Sequence, residues 1–141
     1  MNSASDTISS FNEGLKTFLD QSVSPYHAVR KVSEVLSDAG FIFLDEQAEW
    51  NLEAGGKYFV VRGGSSIAAF TVGAKFQLER GIRLLGAHTD SPVLAVKPQP
   101  DVKKEGLLQI GVEVYGGALL NPWFDRDLSI AGRVSFLEEG K

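Results

Sequence analysis

LLGAHTDSPVLAVKP, residues Leu84–Pro98, decides how this chain is read, because an apolar run leads directly into a histidine and an aspartate two positions apart. Arg83–Ala87 reads as a short buried strand, and Gly86 and Ala87 leave room beside the backbone where it stops. His88 then stands at the strand's carboxyl end, the edge at which open α/β sheets bind ligands. A metal-bound imidazole usually gives its second N–H to a carboxylate or carbonyl. Asp90 could serve His88 in that way or take another role in the same site. An HxD triplet by itself also fits a hydrogen-bonded turn histidine, so its surroundings have to decide between a ligand and a turn.

Upstream, residues 1–5 are polar and read as a frayed start, after which Ile8, Phe11, Leu15, Phe18 and Leu19 recur at helical spacing. Ser24-Pro25 reads as an N-cap followed by proline at the first helical position. Ala28, Val29, Val32, Val35 and Leu36 form the next apolar stripe, and Gly40 closes it. Beyond Gly40 the period shortens. Phe41–Leu44 is a short apolar strand, and Lys57–Arg62 and Ile67–Val72 flank Gly63-Gly64-Ser65-Ser66 as a hairpin. Downstream of His88 come Val93–Lys97, the alternating Leu108, Ile110, Val112 and Val114, and a last strand alternating Leu128, Ile130, Gly132, Val134 and Phe136. Two helices followed by about seven short strands, with no helix between the later ones, differ from a complete doubly wound sheet. Crossover helices are expected on the carboxyl side, outside this sequence.

The 141 residues suffice for one ordinary domain. A formal charge of −4, with the charges scattered along the chain, leaves no basic stripe for phosphates and argues against nucleic acid as a partner. No apolar run approaches the roughly 20 residues that cross a bilayer, and the start MNSASDTISSFNEG has neither a basic nor an apolar leader segment. A cytoplasmic protein without a membrane partner is therefore expected. The absence of cysteine excludes a disulfide framework and thiolate zinc ligation.

Other residues invite chemistry and receive plainer readings. His27, the only other histidine, lies in the first turn of a helix, where an imidazole packs or bonds locally. Arg126 between Asp125 and Asp127 reads as a structural ion-pair cluster in a loop held by burial of Trp123 and Phe124. The GGSS turn lacks the following helix and the lysine of a phosphate loop. No GxSxG elbow is present, and Ser91 before Pro92 reads as a turn residue.

Four separated segments, FLDQSVSPYHAV (Phe18–Val29), YFVVRGGSSIAAFTVG (Tyr58–Gly73), Leu84–Pro98 and NPWFDRDLSIAGRV (Asn121–Val134), together resemble the M18 family of zinc metalloaminopeptidases, the aspartyl aminopeptidases. The resemblance implies an α/β fold: the amino-terminal portion of a zinc-aminopeptidase-like α/β/α catalytic domain, two helices and then a mainly β region. Residues 1–141 would end near the start of the family's inserted dimerisation domain, so the sequence reads as an amino-terminal fragment. The implied reaction is hydrolysis of amino-terminal residues, acidic Asp or Glu, from a peptide substrate at a two-metal Zn2+ site. His88 would be the first zinc ligand and Asp90 a supporting catalytic residue. A catalytic zinc needs about three protein ligands and an open position, so the other ligands and the general base would lie outside this chain, and the isolated chain is expected to be inactive. The resemblance also implies a homo-oligomer, a dodecamer built from dimers, and relates the WFDRD segment to a family motif. The rival expectation is a non-catalytic half-domain that acts by self-association or by binding a complementary chain through uncovered strand faces.

Overall fold

The apolar stripe from Ile8 to Leu19 winds into α1, Ala4–Gln21, the first element of the computed structural model, which describes residues 4–77 and 81–138. Of the frayed start expected at 1–5, residues 1–3 lie outside the described residues, while Ala4 and Ser5 are already helical. The second helix, α2, runs Pro25–Asp38. Ser24 caps it from an extended backbone (φ −153°), its hydroxyl accepting the His27 N–H at 3.4 Å, and Pro25 follows where no amide hydrogen is needed. The helix ends as the sequence predicts. Gly40 takes φ +80°, its N–H donates to the Ser37 carbonyl, and the Phe41 N–H donates to the Leu36 carbonyl, both at 2.9 Å. This paired pattern satisfies carbonyls that the last turn would otherwise leave open, and it needs a residue at ease in the left-handed region.

Three strands follow, β1 (Ile42–Phe43), β2 (Lys57–Arg62) and β3 (Ser66–Thr71), in the spatial order β1-β2-β3. β1 is shorter than the expected Phe41–Leu44 and lies parallel to β2, with the Leu44 N–H adding a bond to the Phe59 carbonyl at 2.8 Å. β2 and β3 form the expected hairpin, paired from Lys57↔Thr71 to Arg62↔Ser66. Gly63 and Gly64 turn it with φ +60° and +74°, two successive left-handed positions, and the Ser65 N–H closes it on the Arg62 carbonyl at 3.3 Å.

As the central strand, β2 buries three successive residues, Tyr58, Phe59 and Val60, so both of its faces are covered. Tyr58 meets its cross-strand partner Phe70 at 5.6 Å between ring centroids, and Trp50 stacks on Phe70 at 6.2 Å. Phe59, of opposite parity, meets Phe43 at 5.6 Å. Ala28 and Val29 of α2 complete the buried apolar set. The core of the described residues is therefore small: one turn of a helix and the middle of one strand.

The chain divides into two bodies, one holding Met1–Thr89 with Ala131–Lys141 and the other Asp90–Ile130. The second body is a hairpin of β4 (Val93–Lys104) and β5 (Leu107–Tyr115). Here β4 runs well past the expected Val93–Lys97, continuing through Pro98 and Pro100. It can do so because residues 97–100 lie in an irregularity between the pairs Val96↔Val112 and Asp101↔Ile110, where proline's missing N–H costs no ladder bond. The expected stripe on β5 is present in register but not buried: Leu108, Ile110, Val112 and Val114 are all exposed. A short 3-10 turn at Asn121–Trp123 follows.

Two expected strands are absent. Residues 83–87 and 128–136 carry no strand, and Leu85 is 98% exposed where a buried position was expected. Both segments have the side chains for a strand, but a strand also needs a neighbour to accept and donate its backbone bonds. Among the described residues none pairs with either segment, which leaves five strands rather than about seven. The order of two helices followed by strands holds, and the fold is α/β. No described helix is long and apolar enough to cross a membrane.

Candidate functional site

His88 lies in segment 81–92, which carries no regular element, and its side chain is exposed. The sequence reading put it at the end of a strand; instead it precedes one, β4. The neighbouring residue anchors this stretch. Thr89 Oγ1 donates to the Ser65 carbonyl at 2.8 Å, tying the segment to the turn between β2 and β3.

Asp90 opens the second body and is half-buried. Its Oδ2 accepts the phenolic hydrogen of Tyr115 at 2.6 Å, the short separation of a hydrogen bond to an ionised acceptor. The bond holds the Tyr115 phenol above its ordinary range, because ionisation would remove the hydrogen that Asp90 accepts and set a second negative charge beside the carboxylate, with partial burial adding in the same direction. Tyr115 is a residue that sequence reasoning missed. The signal lay in hairpin register: Tyr115 ends β5 opposite Val93, three residues past Asp90. Alternation alone stops the β5 stripe at Val114 and gives no reason to look one residue further.

The remaining candidates divide. His27 behaves locally, with Nδ1 at 2.7 Å from the Ser24 hydroxyl that caps its own helix. The GGSS turn is a hairpin turn and presents acceptors rather than donors. The Gly63 carbonyl takes a bond from Arg133 Nη1 at 3.1 Å and the Ser65 carbonyl takes Thr89, while the Arg133 guanidinium lies 4.8 Å above the Tyr26 ring. An anion would meet the wrong polarity there. The expected ion-pair cluster at Arg126 does not form: Nη1 donates to the Pro122 carbonyl at 3.4 Å, and among the described residues neither Asp125 nor Asp127 makes a salt bridge to it. Asp125 adopts φ +53°, and while Trp123 is half-buried Phe124 is 60% exposed, so aromatic burial holds this loop only through Trp123. Three successive charged side chains in a tight turn splay apart, which is why adjacency in sequence did not become pairing in space.

Among the described residues, no three His, Asp, Glu or Cys side chains gather closely enough to hold a metal ion. His88 and Asp90 have the donor chemistry of a zinc site and its support, but they fall short of the donor set that a catalytic zinc requires. The described residues by themselves therefore do not fit a complete zinc centre.

Comparison with known proteins places these elements. The family model described as aminopeptidase I zinc metalloprotease (M18) matches residues 18–141. A probable M18 family aminopeptidase 2 of Stutzerimonas stutzeri is 54% identical over 130 residues, covering 92% of this chain and 30% of that protein. The crystal structure of yeast aminopeptidase 1 superposes with a TM-score of 0.84 at 32% identity, over 94% of this chain and 31% of that one. The mApe1 dodecamer of S. cerevisiae superposes at 0.71 with 33% identity, over 79% of this chain and 26% of that one. The chain thus spans about 30% of the length of the curated relatives it matches. With the match running from the end of α1 across both hairpins, the His88 segment and the WFDRD loop, this chain belongs to the M18 family of aminopeptidase I zinc metalloproteases.

Proposed function

We propose that residues 1–141 are the amino-terminal part of the catalytic domain of a zinc-dependent aminopeptidase, ending near an inserted domain, and that the whole protein removes amino-terminal residues, with acidic ones preferred, from peptides. The observation that carries this reading is the family match, whose span includes His88 and Asp90. His88 would supply one metal ligand through its exposed imidazole, and Asp90 would act beside it as a supporting catalytic residue. When bound, zinc would supply the Lewis acidity that activates water for peptide hydrolysis. Since the described residues fall short of a full ligand set, no hydrolytic step is assigned to this chain alone. A homo-oligomer is proposed on the likeness to the S. cerevisiae dodecamer. A cytoplasmic setting is proposed as well, and the cysteine-free sequence is compatible with it.

Turnover of aspartyl, glutamyl and leucyl anilides by the 141-residue chain and by a longer chain that contains it tests the reading. Activity is expected only in the longer chain, with the acidic substrates favoured and His88→Ala abolishing both zinc uptake and turnover. Turnover by the short chain, or full activity in the longer His88→Ala protein, contradicts it.

A second reading has its own observation. Leu84, Leu85, Leu108, Val134, Phe136 and Leu137 are each about four-fifths exposed or more. Apolar side chains presented on this scale mark surfaces that associate, so the isolated chain would act by binding copies of itself or a complementary chain. Sedimentation of the 141-residue chain over a concentration series separates the two, since a strictly monomeric species contradicts the association reading.

A further inference from the structure

Asp90 is held by more than its place in the sequence. Its Oδ2 accepts from Tyr115 at 2.6 Å, and Tyr115 is itself fixed by the last rung of the β4–β5 ladder, opposite Val93. The next residue, Gly116, takes φ +73° and packs against Pro92, so that a β-carbon there would stand 3.4 Å from the Pro92 α-carbon. Pro92 has a fixed φ and restricts Ser91 before it to extended backbone. The path from Asp90 to Val93 therefore contains one stiff residue and one restricted one. The path back from Val93 crosses a strand pair to Tyr115. The phenol closes this loop onto the carboxylate with a short bond.

We infer that Tyr115 is the positioning residue for Asp90: its hydroxyl, donated to Oδ2, fixes the rotamer of the carboxylate, and the Ser91-Pro92 backbone and the Gly116 contact fix the phenol in turn. This rests on the peptidase reading, in which Asp90 serves the reaction. At neutral pH the phenol is protonated and can only donate to an ionised carboxylate, so the bond has one sense and one geometry. Losing this bond widens the range of χ1 and χ2 open to the carboxylate, and a supporting group that is less often correctly placed lowers the rate of the chemical step rather than the binding of substrate.

The test compares wild type with Tyr115→Phe, in the longer chain for kinetics and in both lengths for folding and phenol titration. Removing the hydroxyl is expected to lower kcat on the order of 10-fold with KM unchanged, the range met when the partner that orients a site residue is lost. The variant should remain folded at neutral pH, its melting temperature lowered only by the loss of one exposed hydrogen bond. In wild type the ionisation of Tyr115, followed by absorbance at 295 nm, should give a phase later than the ordinary tyrosine range. That late phase should vanish in Tyr115→Phe and move earlier in Asp90→Asn. Unchanged kcat in Tyr115→Phe overturns the inference while leaving the peptidase reading intact. So does a Tyr115→Phe chain that no longer folds, because the hydroxyl would then be holding the hairpin rather than the carboxylate. A wild-type protein that turns over no aminopeptidase substrate defeats the peptidase reading and this inference with it, and is told apart by the wild-type assay alone.

Discussion

Val29 is 2% exposed and is the most completely buried large side chain among the described residues, on a helix that packs against β2 and β3. Replacing it with alanine removes two methyl groups from the small core made with Ala28, Tyr58, Phe59 and Val60. At ~0.8 kcal/mol per buried carbon the transfer loss is ~1.6 kcal/mol. A cavity of about 50 Å3, if nothing collapses into it, adds ~1.2 kcal/mol. Alanine's better helix propensity returns ~0.5 kcal/mol. Packing therefore outweighs propensity, and the net destabilisation is ~1–2.5 kcal/mol. Urea unfolding followed by Trp50 fluorescence reads this directly, because the indole stacks on Phe70 at 6.2 Å within the same body. A Trp123→Phe background silences the other tryptophan. The midpoint should fall by about 1 M, whereas Val35→Ala, at a site 52% exposed on the same helix, should move it far less. Equal shifts for the two variants would refute the claim that α2 is held by the face carrying Val29.

Ser24→Ala removes the acceptor of the His27 N–H and the partner of the His27 ring; a loss of about 1 kcal/mol is expected by thermal melting, and Ser24→Asp should recover most of it. Gly64→Ala places a β-carbon at φ +74°, 3.5 Å from the Tyr26 ring, and should cost about 1 kcal/mol, with amide exchange quickening in β2 and β3. The phenol of Tyr115 has its pKa raised by Asp90, so the stability drawn from that bond is complete below the ordinary tyrosine range near pH 10 and disappears as pH rises through the higher folded-state value. Wild type and Tyr115→Phe should accordingly converge in melting temperature at strongly alkaline pH; a gap that widens there would show the sign to be wrong.

Much of the first body was legible because its signals are local. The Ser24 cap, the Gly40 terminus and the paired glycines at 63 and 64 each specify a backbone conformation through the chemistry of one or two residues, and each appears where the sequence placed it. The strands expected at 83–87 and 128–136 failed for the opposite reason. Their alternation and apolar content describe a surface that fits a sheet, but pairing depends on a partner elsewhere, and among the described residues none is offered. Arg126 failed through geometry, since neighbours in a turn diverge. At the candidate site, His88 and Asp90 were visible as residue types at a telling spacing. Tyr115 lies 25 positions beyond Asp90, and it could be found only by pairing β4 with β5 through an irregularity that alternation does not reveal.

That irregularity has a consequence for how the hairpin tolerates change in length. Residues 97–100 of β4 stand against the single residue Gly111 of β5, where a β-carbon would come within 3.3 Å of the Pro100 carbonyl oxygen. The loose stretch on β4 is slack. One residue added or removed there leaves Val93–Val96 facing Val112–Tyr115. β5 has no such slack between Gly111 and Tyr115, where every position is matched. A single deletion there would carry the tyrosine to the opposite face of the ribbon and away from Asp90. Homologous chains should therefore vary in length on the proline-bearing side of this hairpin and keep a fixed count on the other.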